Sequence, residues 1–157
     1  MSWTRNLRKL HARSWSERGQ LIEAFIWLGV MRVALGRLPF RRIAARLGLT
    51  QTETFNVPKT LNVAEATRIG WAVKAVASRT PWKSTCLIQA LAGMILLRRR
   101  KIAGTLYLGV AKDELAPEQI TAHAWLCSGD LFLTGESGRE HYKVVSIFTS
   151  KNEANSL

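Results

Sequence analysis

The stretch PWKSTCLIQALAGMILLRRRKIAGTLYLGV, residues 81–110, holds a helix start, a buried helix, a helix stop and a strand in immediate succession. Pro81 forces the residue before it out of the α region, so one helix must end by Thr80 and another can begin only after it. Ser84 or Thr85 supplies an oxygen for the N-cap. The run Cys86–Leu97 is almost wholly apolar, which predicts a helix buried at the centre of a domain rather than one with a wet face. Arg98-Arg99-Arg100-Lys101 places cations at the negative end of that helix. Residues 105–110 then change to a short run rich in aliphatic and aromatic side chains, the pattern of a strand.

Working towards the N-terminus, a helix is expected from Asn62, where Asn62-Val-Ala-Glu65 has the form of a capping box. It continues through Ala66, Ile69, Val73 and Val76. Residues 49–60 are polar, contain Pro58 and read as a connecting loop. Before them, Arg41 to Leu47 reads as a short basic helix stopped by Gly48. Residues 14–38 read as an amphipathic helix through Leu21, Phe25, Leu28, Val30 and Met31, ended by Pro39.

Working towards the C-terminus, residues 122–127, 131–135 and 143–148 read as further strands. Ser128-Gly129-Asp130 is a tight turn joining two of them, and residues 112–121 form a polar loop. Helices come first and an antiparallel sheet follows, an α+β arrangement. The expected organisation is a basic helical region over 1–60, a core over 61–150 and a disordered tail over 151–157.

The chain has 157 residues, 47% of them hydrophobic, enough for one domain with a real core. Lys and Arg number 23 against 11 Asp and Glu, a net charge of +12. That balance favours an acidic partner: nucleic acid, anionic lipid or an acidic peptide. Two cysteines, Cys86 and Cys127, make neither a disulfide framework nor a metal-ligand spacing, so a reduced, cytoplasmic chain without metal or cofactor is expected. Residues 1–20 show no apolar secretory core. Residues 21–38 carry Glu23, Arg32 and Arg37, which argues against a transmembrane span and leaves room for peripheral contact with a membrane.

The chemistry converges on Cys86 and His123. Cys86 opens a buried helix, where free amides and the positive dipole end favour a thiolate and suit a developing oxyanion. His123, on a downstream strand, is the base that takes the thiol proton and later gives it to the leaving amine. A third group should orient the imidazole. If Gly129-Asp130 is a two-residue turn, Ser128 pairs with Leu131, and the same register carried down the ladder puts His123 opposite Glu136. A three-residue turn would put Gly135 there, which has no side chain to serve. Asp130 is the alternative third member, although it sits in the turn.

Residues 81–110, followed by Ala122-His123-Ala124-Trp125-Leu126, resemble the protease half of the lasso-peptide B protein. The shared features are a Pro-Trp before a Cys-Leu helix start, Gln-Ala-Leu, basic residues at the helix end and Leu-x-Leu-Gly-Val. His-Ala-Trp, a Gly-Asp turn and a Thr-Gly strand end complete the set. Residues 21–48 also resemble that family's opening helices, so the likeness spans about residues 14–150. The resemblance implies a transglutaminase- or papain-like cysteine protease core, with a central buried helix packed on a small antiparallel sheet. It implies a leader peptidase that cuts a lasso-peptide precursor at the leader–core junction, usually after a threonine, before a separate cyclase closes the macrolactam. The chain is too short to add a winged-helix recognition domain, so a separate leader-recognition protein is implied. Many relatives carry Asp on the strand after the His-Ala-Trp hairpin, where this sequence has Gly135-Glu136.

Simpler readings stand beside these. A cysteine on an apolar helix and a histidine in a strand are, each alone, ordinary core residues. Cys127 is expected to be inert, and His11 and His141 to lie on the surface. Trp125 is expected to pack in the core, and Trp82 to line a substrate groove. The basic run 98–101 is expected to be a solvated helix end, or a hold for an acidic leader. Two other functions compete. A transglutaminase proper would use the same Cys and His to acylate an amine. A non-enzymatic nucleic-acid-binding module would explain the charge, but no recognisable motif for it is present, and no nucleic-acid partner is expected.

Overall fold

A computed structural model describes residues 15–53 and 62–150. The chain order is α1 (Trp15–Arg37), α2 (Phe40–Arg46), β1 (Leu49–Thr52), α3 (Val63–Ala77), α4 (Cys86–Arg99), β2 (Thr105–Lys112), β3 (Ile120–Ser128), β4 (Leu131–Thr134) and β5 (Lys143–Ser150). A 3₁₀ turn, Arg139–His141, precedes β5. The five strands form one antiparallel sheet in the order β1-β5-β2-β3-β4. The architecture is α+β, as the sequence predicts.

Helix α4 is the centre. Every residue from Ala90 to Leu97 is buried, and Leu91, Met94 and Leu97 are fully so. Burying each such side chain stabilises the fold by about 1.5–3 kcal/mol. Thr85 is the N-cap, its hydroxyl accepting from the Ile88 amide. Ser84 instead bonds the Thr80 hydroxyl, and its carbonyl takes the Gln89 side-chain amide. The helix ends in a Schellman arrangement: Ile102 N–H donates to Leu97 and Lys101 N–H to Arg98. Lys101 takes the left-handed position, φ 56°.

The sheet presents one face to the helices, through Leu106, Ala124, Leu126 and Leu133. Its other face carries a second, smaller cluster of Tyr107, Trp125, Cys127 and Ile147. Residues 49–52, expected as loop, pair instead with Ser150 to Ile147 as β1. Their polar sequence hides a strand whose bonds come from distant β5. The remainder of that expected loop from residue 54, and the tail over 151–157, lie outside the described residues.

Helix α1 keeps part of the expected face, with Leu28 and Met31 buried and Leu21 packed on the core, and departs from it elsewhere. Its buried residues are Gln20, Ala24, Leu28 and Met31, whereas Phe25 and Val30 are exposed. Apolar side chains surround this helix, so periodicity alone does not select the buried stripe. By length and composition α1 could cross a membrane. Here, Ala24, Leu28 and Met31 join the same core as α4.

The basic run at the end of α4 is corrected too. Arg98 donates to the Leu47 carbonyl. Arg99 and Arg100 pair with Glu23 of α1, and Arg100 also with Glu65 of α3. Glu65 therefore does not reach back to close the expected capping box. Only the other half forms, Asn62 Oδ1 accepting from the Glu65 amide at 3.1 Å. These charges tie three helices together.

Candidate active site

Cys86 is the first residue of α4, half-buried, with a free thiol. It packs against the helical core. Its amide is among those a helix leaves without an intrahelical acceptor. Ahead of it, residues 80–85 are fixed by the Thr80 hydroxyl, which bonds the carbonyls of Ala77 and Trp82. Trp82 itself leans on α1, 5.2 Å from the Phe25 ring and against Gly29.

His123 lies on β3. That strand and α4 share a direction: the helix end near Leu97 meets Gly104, and Ser128 Oγ bonds the Ala103 carbonyl. At mid-helix, Gly93 touches Leu126, since a Cβ there would stand 2.6 Å from Leu126 Cδ2. From that contact, seven helical residues back to Cys86 span about 10 Å, and three strand residues back to His123 also span about 10 Å. Cys86 and His123 therefore stand at the same end of the core.

They do not touch. No hydrogen bond joins them among the described residues. On β3, Ala124 and Leu126 face the helices, while His123, Trp125 and Cys127 take the other parity. Strand β4 ends opposite Leu126, so β3 is the sheet edge around His123. The imidazole packs near two rings, 5.0 Å from Tyr142 and 5.9 Å from Trp125. Gly109, opposite His123 on β2, leaves the room: a Cβ there would lie 2.9 Å from both Trp125 and Tyr142.

The hairpin begins as expected, with Ser128 opposite Leu131 and Cys127 opposite Phe132. A bulge then shifts the register, so Leu126 faces Thr134. The direct opposition of His123 and Glu136 is lost. His123 Nε2 instead lies 2.8 Å from the Gly135 carbonyl oxygen. Glu136 is exposed, and its charge acts on Cys127. Asp130 is exposed in the turn, and the five steps along β3 from His123 to Ser128 span about 17 Å.

Cys127 is 4% exposed. Burial pushes its thiol up to about 12; Arg139 opposes this and Glu136 adds to it. It stays a neutral thiol near pH 7, a poor nucleophile. His141 is exposed beside Glu140, and His11 lies outside the described residues. No cluster of metal-ligating side chains occurs among the described residues.

Sequence reasoning missed the Gly135 carbonyl and the ring of Tyr142. A main-chain acceptor has no side-chain signature, and Tyr142 reaches His123 only through sheet pairing. A cysteine starting a buried helix and a histidine on the neighbouring antiparallel sheet are the residue types that a cysteine-dependent acyl-transfer site combines, although here the histidine takes the parity opposite the helix-facing residues. A family model for the transglutaminase-like superfamily matches residues 25–147. The chain belongs to that superfamily, which includes cysteine peptidases. No curated protein and no solved structure gives a significant match.

Proposed function

We propose that the protein is a cysteine peptidase that removes the leader from a lasso-peptide precursor, with Cys86 as nucleophile and His123 as base. The observation that carries the reading is the common level of Cys86 and His123 at one end of α4 and β3. In the proposed reaction the Cys86 thiol gives its proton to His123, and sulfur attacks the carbonyl at the leader–core junction. The oxyanion forms near the α4 N-terminus, whose amides are directed at developing negative charge. His123 then protonates the departing core amine, and water releases the leader from the thioester. Because His123 takes the parity opposite the helix-facing residues of β3, the reading requires thiol and imidazole to meet around the unpaired edge of β3 when substrate binds.

The partners proposed are the precursor peptide, a separate leader-recognition protein and the cyclase that uses the freed amine. No nucleic acid is required by this reaction. Trp82 borders the site through the loop before Cys86, while its ring packs on α1. A reduced cytoplasmic setting suits the free thiols, and the exposed apolar residues of α1 suit peripheral membrane contact.

Hydrolysis is tested against amine transfer by adding a primary amine to the reaction with precursor and recognition protein. Mass spectrometry of the leader fragment is expected to show a free carboxylate. A leader carrying the added amine as its main product would identify an acyltransferase instead.

A further inference from the structure

We propose that the third member of the site is the main-chain carbonyl of Gly135, which positions His123 in place of an acidic side chain. The inference rests on the peptidase reading for its catalytic meaning, and on geometry for the bond itself. A carbonyl only accepts, so at 2.8 Å the hydrogen must sit on Nε2 of the neutral ring. Nδ1 is then left with its lone pair, ready to receive a proton from a thiol.

The carbonyl is held in place by the backbone. The bulge between Leu126 and Cys127 leaves one extra β4 residue between the Cys127–Phe132 and Leu126–Thr134 pairs, so the shifted register carries Gly135 to a place alongside Trp125. Gly135 has φ 71°, the region that favours glycine. A Cβ there would stand 2.3 Å from the Ala124 carbonyl oxygen and 2.9 Å from Trp125 Cα. Both are backbone atoms of the strand that bears His123, and neither can swing aside. The positive φ, the close approach and the bulge thus belong to one construction that aims this carbonyl at the imidazole. The rings of Trp125 and Tyr142 pack beside the imidazole, each tilted 32° to it.

Neither carboxylate competes. Glu136 is exposed and acts on Cys127, and Asp130 is at the far end of β3. A neutral dipole stabilises an imidazolium less than a carboxylate does. The contribution of Gly135 is therefore orientation and tautomer, and Gly135 is a positioning residue.

The test is the tautomer of His123, read by long-range nitrogen–proton NMR on the neutral ring, together with precursor cleavage. In wild type and Glu136→Gln the Nε2–H form is expected to dominate, with cleavage rates within about twofold of each other, as for a surface change. In folded Gly135→Ala the tautomers are expected to mix, and kcat to fall about tenfold at unchanged KM, the scale of one lost hydrogen bond. The proposal is overturned if Glu136→Gln loses the Nε2–H form or drops cleavage tenfold, or if Gly135→Ala keeps both. Should Gly135→Ala fail to fold, the Glu136→Gln pair still decides. The NMR result needs no substrate, so a wild type that leaves the precursor intact removes the peptidase reading without deciding the carbonyl bond.

Discussion

Arg100 Nη2 lies 2.7 Å from Glu23 Oε2, joining the C-cap of α4 to the middle of α1. Burial raises the Glu23 carboxyl, but the hydrogen bonds and charges of Arg100 and then Arg99 outweigh it, leaving the group below its ordinary 4.5. A carboxyl depressed in the folded state stabilises the fold above its unfolded value, and that stability is lost as pH falls through the folded one. Glu23→Gln should therefore cost about 1–2 kcal/mol at neutral pH, because it leaves Arg100 short of a partner in a half-buried site. The cost should shrink below pH 4.5. Urea melts of both proteins across that range check this; an equal cost at every pH would contradict it.

The same network shows what the sequence conceals. The four basic residues at 98–101 are legible as a helix end, yet nothing local says that their partners lie on α1 and α3. The buried helix, its Thr85 cap and the Gly129-Asp130 turn were legible because each is decided within a few residues. The register of the hairpin was legible for two pairs and then failed at the bulge. β1 was missed because its four residues become a strand only against β5. Cys86 and His123 were legible as candidates from residue type and order. The group that holds His123 was not, because it is a carbonyl on a residue dismissed for lacking a side chain.

Cys127 and Cys86 should separate chemically. Cys86 is half-buried at a helix start, whereas Cys127 is buried and held protonated up to about 12. Iodoacetamide at neutral pH should modify the folded protein once, at Cys86, and twice only after denaturation. Peptide mapping reads the site; labelling of Cys127 in the native protein would contradict the assignment.

Alkaline stability follows from the same thiol. Its folded value lies above the ordinary 9.0, so above that point the unfolded chain releases a proton that the folded chain keeps. Stability should fall as pH rises from 9 towards 12, by up to about 1.4 kcal/mol per unit from this group. Tyr107, raised first by burial and then by Cys127, acts in the same direction. Cys127→Val should flatten the decline in melts between pH 9 and 11; an unaltered slope would sink the argument.

Lys101 occupies a left-handed position at the end of α4 with φ 56°. A side chain there costs about 1 kcal/mol that glycine avoids. Lys101→Gly should raise stability by about 0.5–1 kcal/mol, after the entropy of the freer unfolded chain is deducted. A loss of stability in thermal melts would mean that the lysine side chain makes a compensating contact.

The most direct measurement of the central claim uses wild type, Cys86→Ala and His123→Ala with the precursor peptide and its recognition protein, read by mass spectrometry. One cut at the leader–core junction by wild type, reduced by more than about a thousandfold in both variants, is the predicted result. Cutting by Cys86→Ala at the wild-type rate, or an intact precursor with wild type and recognition protein present, would contradict it.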